Sequence, residues 1–111
     1  MMILKIIAAL ATALVGLVAL LWPHRITGFT GLAAPGGRGV TEIRVVLGGF
    51  FVALGILPVL FNAPDMYLML GLTYLIAGII RLITMFIDRS VERSNVISVI
   101  VELGFGVLLA L

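Results

Sequence analysis

Residues 66–87 read MYLMLGLTYLIAGIIRLITMFI, an apolar run interrupted by a single charge, Arg81. A helix rises ~1.5 Å per residue and the hydrocarbon core of a bilayer is ~30 Å thick, so the run is long enough to cross it. Its ends are punctuated. Asn62-Ala63-Pro64-Asp65 precedes it, with Pro64 suited to a first helical turn, where its missing N–H is not needed, and Asp65 near the positive end of the helix dipole. Asp88-Arg89-Ser90-Val91-Glu92-Arg93 follows as a compact charged turn. The stretch predicts a transmembrane helix over 66–87.

Three more spans lie outward from it. Residues 94–111 form an apolar fourth span, and 41–60 a second whose last turn Pro58 is expected to loosen. The first, over 3–22, carries only Lys5 as a charge and closes at Trp22-Pro23, an interfacial aromatic followed by a helix-ending proline. A cleaved signal peptide fits this segment less well, because the apolar run continues to Trp22 instead of stopping at a small-residue cleavage site. The connection HRITGFTGLAAPGGRGV, residues 24–40, holds five of the thirteen glycines and predicts a loop on the membrane surface, with Ile26, Phe29 and Leu32 dipping into the interface. Within it, AAPGGRGVT superficially suggests a phosphate loop. It lacks the Gly-Lys-Ser/Thr ending and reads as a flexible turn.

Composition agrees with this reading. Of 111 residues, 63% are hydrophobic and 11% charged, and the mean hydropathy of +1.36 leaves too little polar surface for a water-soluble domain. With no cysteine there is no disulfide, iron–sulfur or thiol chemistry, and a lone His24 cannot build a histidine metal site; beside Arg25 it reads as a partly solvated loop residue. No catalytic residue, metal or cofactor is expected. Seven cations spread along such a chain do not make a nucleic-acid surface, but they do set topology. Arg25, Arg38, Arg89 and Arg93 fall on one side, with Arg44 and Arg81 leaning toward it, and only Lys5 on the other. The arginine side is expected to be cytoplasmic, with both termini outside.

Wrapped at 3.6 residues per turn, small and polar residues fall into stripes. Ala8, Thr12, Gly16 and Ala19 share one face of the first span; Arg44, Gly48 and Gly55 one face of the second. Gly71, Tyr74, Gly78, Arg81 and Asp88 align on the third, and Asn95, Ser98, Glu102 and Gly106 on the fourth. Helices in lipid associate by close approach at small residues and by interhelical hydrogen bonds, so Gly16, Gly48, Gly55, Gly71, Gly78 and Gly106 are expected at helix contacts. Tyr74 and Thr73 read as packing residues with satisfied hydroxyls.

Arg81 lies about seven residues before one end of its span and Glu102 about eight after the start of the next, which puts both ~10 Å deep on antiparallel neighbours. An unpaired charge at that depth is costly, so the two are expected to pair. Glu42 and Arg44, nearer the surface, are expected to complete a buried cluster of two arginines and two glutamates. Such a cluster can lock helix register, hold a proton or substrate, or let its arginines bind lipid headgroups.

The placement of these residues resembles a family of small four-helix bacterial membrane proteins known only as a domain of unknown function. The resemblance rests on Pro23, Glu42-Ile43-Arg44, Gly48-Gly49, Ala53-Leu54-Gly55, Gly78, Arg81-Leu82, Asp88, Glu102, Gly104 and Gly106. It covers nearly all of the chain from about residue 15 and supports the all-α, integral membrane four-helix bundle that the four spans, read as a single domain over 1–111, already predict; Arg89 departs from it, standing where a glycine is expected after the Asp. It implies no activity, substrate or cofactor. A weaker likeness to DoxX-type membrane proteins covers Arg44 to Gly55. Small multidrug transporters share the length and span count, but their proton-coupling glutamate has no counterpart in the first helix. The expectation is a non-enzymatic protein of the bacterial cytoplasmic membrane, structural or accessory, self-associating or docked in a larger membrane complex and surrounded by lipid. The other class is a small proton-coupled transporter or lipid-binding protein working through the charge cluster.

Overall fold

The computed structural model describes residues 1–111, in helices and turns with no strand. Helix α1 covers Met2–Leu21, α2 Pro23–Thr30 and α3 Gly36–Ile43; α3 runs on through one π-helical turn, Arg44–Gly49, into α4, Phe50–Phe61. Helix α5 covers Pro64–Ile87 and α6 Arg93–Ala110. Four of these, α1, the continuous Gly36–Phe61 helix, α5 and α6, are long and apolar enough to cross a membrane by length and composition.

Helix ends follow local chemistry. Pro64 opens α5 and Asp65 lies in its first turn, so the helix starts two residues before Met66. Asn62, in the left-handed region at φ 49°, separates it from α4. The 24–40 stretch is not one surface loop. Pro23, fixed near helical φ, starts α2 after Trp22 instead of merely ending α1, and Gly31 closes α2 at φ 78° by donating its N–H to Thr27. The second span begins at Gly36, five residues ahead of Thr41, and continues three residues beyond Pro58.

The chain divides into two compact units, Ile6–Asn62 and Ala63–Leu111 together with Met1–Lys5. In the first, Ala8, Ala9, Thr12, Ala13, Gly16 and Ala19 form the buried face of α1. Opposite them the backbones nearly touch. A Cβ on Gly16 would lie 2.6 Å from the Val52 nitrogen and 2.7 Å from the Gly48 carbonyl oxygen, and one on Gly55 would collide with the Ala9 oxygen and the Ala13 nitrogen. The pairing of 16 with 48 and 52, and of 55 with 9 and 13, makes α1 antiparallel to the π turn and α4.

The second unit is the antiparallel α5–α6 hairpin. Gly71 packs on Leu109 and Ala110, Gly78 on Glu102 and Leu103, and Gly106 on Leu75. Tyr74 meets Phe105 edge to face, with ring centroids 5.7 Å apart. Tyr67, on α5, is fully buried, its hydroxyl without a hydrogen-bond partner. The connecting turn is a Schellman closure. Ser90 donates its N–H to Met85 (2.8 Å) and Arg89 to Phe86 (3.4 Å), and Arg89 takes the left-handed φ of 53° that glycine usually supplies there.

Candidate functional site

The polar chemistry of the hairpin gathers on Arg81. Its Nε donates to Glu102 Oε1 at 2.7 Å, one terminal nitrogen to Glu102 Oε2 at 3.2 Å, and the other to Asn95 Oδ1 at 2.9 Å. The fork geometry of guanidinium and carboxylate is the strongest form of this contact. Position follows from helix periodicity. Asn95 and Glu102 are seven residues, about two turns, apart on α6 and so share the face turned to Arg81. Glu102 keeps 14% of its side chain exposed and Arg81 38%.

The network extends to the turn. Asn95 Nδ2 donates to the Ser90 carbonyl oxygen at 2.8 Å and to Ser90 Oγ at 3.2 Å, tying the start of α6 to the end of α5. Thr84, one turn after Arg81, donates its hydroxyl back to Ile80. Asn95 and Ser90 were not expected at the cluster. The signal for Asn95 was present in the polar stripe of the fourth span, two turns before Glu102; Ser90 reaches the site only through the turn's fold, which no periodicity reports.

Glu42 and Arg44 stand differently. Both are exposed, not buried. Glu42 takes its hydrogen bond from Arg38, one helical turn earlier, at 3.2 Å, with 51% and 81% of the two side chains exposed. Arg44 makes neither salt bridge of the chain. The reason lies in the π turn that begins at Arg44: it adds a residue to the helical ladder, so Arg44 loses the bearing it would share with Gly48 and Gly55 on a regular helix.

The six glycines of the stripes, Gly16, Gly48, Gly55, Gly71, Gly78 and Gly106, are buried. His24 is exposed, and its carbonyl accepts the Thr27 hydroxyl. No group of three or more His, Cys, Asp or Glu residues comes together to hold a metal ion.

Over its whole length, residues 1–111, the sequence matches the family described as Domain of unknown function (DUF4345). The chain belongs to this family. No curated protein and no solved structure matches it. Membership in DUF4345 brings no activity or partner with it, and no likeness to DoxX-type proteins is shown. What a DUF4345 chain of this form offers chemically is four membrane-length apolar helices and one closed, two-point Arg–Glu contact with an amide beside it.

Proposed function

We propose that the protein is a non-catalytic, multi-pass accessory subunit of the bacterial inner membrane, acting by association with further copies of itself or with a larger membrane complex. The observation that supports this reading is the closure of the Arg81 network. Glu102 gives both carboxylate oxygens to Arg81, and Asn95 takes a third donor, so this part-buried pair holds α5 to α6. A carboxylate committed in this way favours a register lock over proton transfer, which needs a base free to change its partner. The outer face of α5, with Ile76, Ile79, Ile83 and Phe86 exposed, suits lipid or a neighbouring apolar helix. Arg25, Arg38, Arg89 and Arg93 favour a cytoplasmic 24–40 stretch and 88–93 turn, with Leu111 outside.

Association is tested by co-expressing two differently tagged copies and measuring the purified protein by native mass spectrometry in mild detergent. A homo-oligomer carrying both tags, or a stoichiometric second membrane protein, is the expected result. A monomer that stays alone at every concentration rejects the role. Proteoliposomes holding a pH gradient provide the contrasting test: sustained proton flux abolished by Glu102→Gln would replace the accessory reading with transport.

A further inference from the structure

A cavity of about 500 Å³ opens beside the Arg81 network, where α5 ends and α6 begins. Ile80 and Met85 give it apolar wall, and Arg81, Asp88, Ser90 and Asn95 give it polar wall. Seven residues of α5 separate Arg81 from Asp88, a rise of ~10 Å. The cavity therefore runs along the last two turns of α5, from Arg81 to the helix end at Asp88; with α5 read as a membrane span, this is the end at which a phospholipid carries its phosphate and headgroup.

Its polar atoms are unevenly satisfied. Three of the five guanidinium N–H donors of Arg81 are bound, two to Glu102 and one to Asn95, which leaves two. Ser90 Oγ accepts from Asn95 and keeps its own O–H to donate. Asp88 takes part in neither salt bridge and sits at the C-terminal end of α5, where the helix dipole is already negative. Charge selects the ligand. Glu102 neutralises Arg81, so the wall carries one net negative charge, from Asp88, at the shallow end. A simple anion finds spare donors but no net attraction, and a simple cation leaves those donors unused. A zwitterion with an anionic oxygen group deep and an ammonium shallow satisfies both ends, and this is the order in which an amine phospholipid presents them in a leaflet.

We propose that this cavity binds one headgroup of a zwitterionic amine phospholipid, its phosphate diester taking hydrogen bonds from Arg81 and Ser90 and its primary ammonium donating to Asp88. The acyl chains leave on the deep side, past Ala77 and Ile80. All the binding groups lie on α5, α6 and their turn, so the site stands whether or not copies of the chain associate.

Native mass spectrometry of the full chain in mild detergent, titrated with phosphatidylethanolamine, phosphatidylcholine and phosphatidylglycerol of identical acyl chains, tests the assignment. One equivalent of phosphatidylethanolamine is expected to bind about tenfold more tightly than the other two, the worth of one charge-assisted hydrogen bond. Asp88→Asn should remove that preference, and Ser90→Ala should weaken phosphatidylethanolamine and phosphatidylcholine alike by a few-fold. Equal affinity for phosphatidylethanolamine and phosphatidylcholine on the unaltered chain would overturn the proposal, and that comparison decides the matter even if Asp88→Asn disturbs the turn. Retained selectivity in a folded Asp88→Asn variant would overturn it as well. Phosphoethanolamine without acyl chains, added as competitor, should not displace the lipid; displacement at lipid-like concentrations would overturn the lipid assignment in favour of a soluble amine phosphate.

Discussion

In the Ile6–Asn62 unit the helices meet backbone to backbone. Gly16 and Gly55 bring α4 against main-chain atoms of α1, and the buried face of α1 is alanine, glycine and threonine. In the α5–α6 hairpin Gly71 also meets main chain, at Leu109 and Ala110, but the closest atoms at Gly78 and Gly106 are the branched ends of Leu103 and Leu75, and a two-point ion pair spans the gap. Lipid offers no hydrophobic drive toward either association, so each pair needs specific atoms. Shape supplies them in the first unit, and charge supplemented by softer packing in the second. The two should therefore fail in different ways.

The largest expected effect is in the hairpin. Arg81→Met or Glu102→Leu leaves the other charge unpaired, a loss of about 3 kcal/mol, the low end for buried pairs because Arg81 is more than a third exposed. The double variant should recover most of it, since replacing a whole pair by apolar groups is often near neutral. Thermal unfolding of the four proteins in one detergent forms the cycle. Additive losses would mean that the pair is not what holds α6 to α5.

Glycine replacements sharpen the contrast. Gly55→Ala drives a methyl into the Ala9 carbonyl and the Ala13 amide, and main chain cannot step aside, so a loss of about 2 kcal/mol or more is expected. At Gly78 the nearest atom is Leu103 Cδ2, 2.7 Å from the added carbon. A leucine end can rotate away, and alanine regains about 0.5–1 kcal/mol of helix preference, so Gly78→Ala should stay within about 1 kcal/mol of the parent. Equal unfolding midpoints for the two variants would erase the distinction between the units.

Much of this was legible in the sequence, for reasons that also mark its limits. Apolar length predicts four spans with ends within about five residues, because a bilayer sets the least length each helix needs to cross it. Regular 3.6-residue periodicity places Arg81 opposite Glu102 and aligns Gly71, Gly78 and Gly106 with the buried faces, since α5 and α6 are unbroken helices; Gly16, Gly48 and Gly55 are buried as well, the last two in and beyond the π turn. Arg44 departs from its expected place: nothing in Arg44-Val45-Val46-Leu47-Gly48-Gly49 announces the π turn that begins at Arg44 and changes its bearing relative to the glycines that follow. Glu42, expected in the buried cluster, pairs instead with Arg38, one turn away on the same face. Residues 24–40 read as loop from their glycines, yet two short helices form there, one of them started by the proline that closes the first span.

The turn between α5 and α6 yields a smaller prediction of opposite sign. Arg89 holds a left-handed φ of 53° in a Schellman closure, where a side chain is strained and glycine is not. Arg89→Gly should raise hairpin stability by up to about 1 kcal/mol, with the gain reduced by the extra freedom of glycine in the unfolded chain. A lowered unfolding midpoint would show that the arginine side chain contributes more than its backbone strain costs.

The smallest effect belongs to the other salt bridge. Arg38 and Glu42 have the same charges as Arg81 and Glu102, but they lie one turn apart on a single helix, 81% and 51% exposed, and touch at one point, 3.2 Å. Water and counterions reach such a pair, and holding two long side chains together offsets most of the attraction, leaving about 0.3 kcal/mol. Arg38→Ala should thus shift the unfolding midpoint by little at low salt and by nothing measurable at high salt, whereas the loss in Arg81→Met should persist across the same range, because buried charges are weakly screened. The decisive measurement is salt dependence. If Arg38→Ala cost as much as Arg81→Met and kept that cost in high salt, the 36–43 helix end would be packed against something that shields it, and the division of roles between the two units would have to be redrawn.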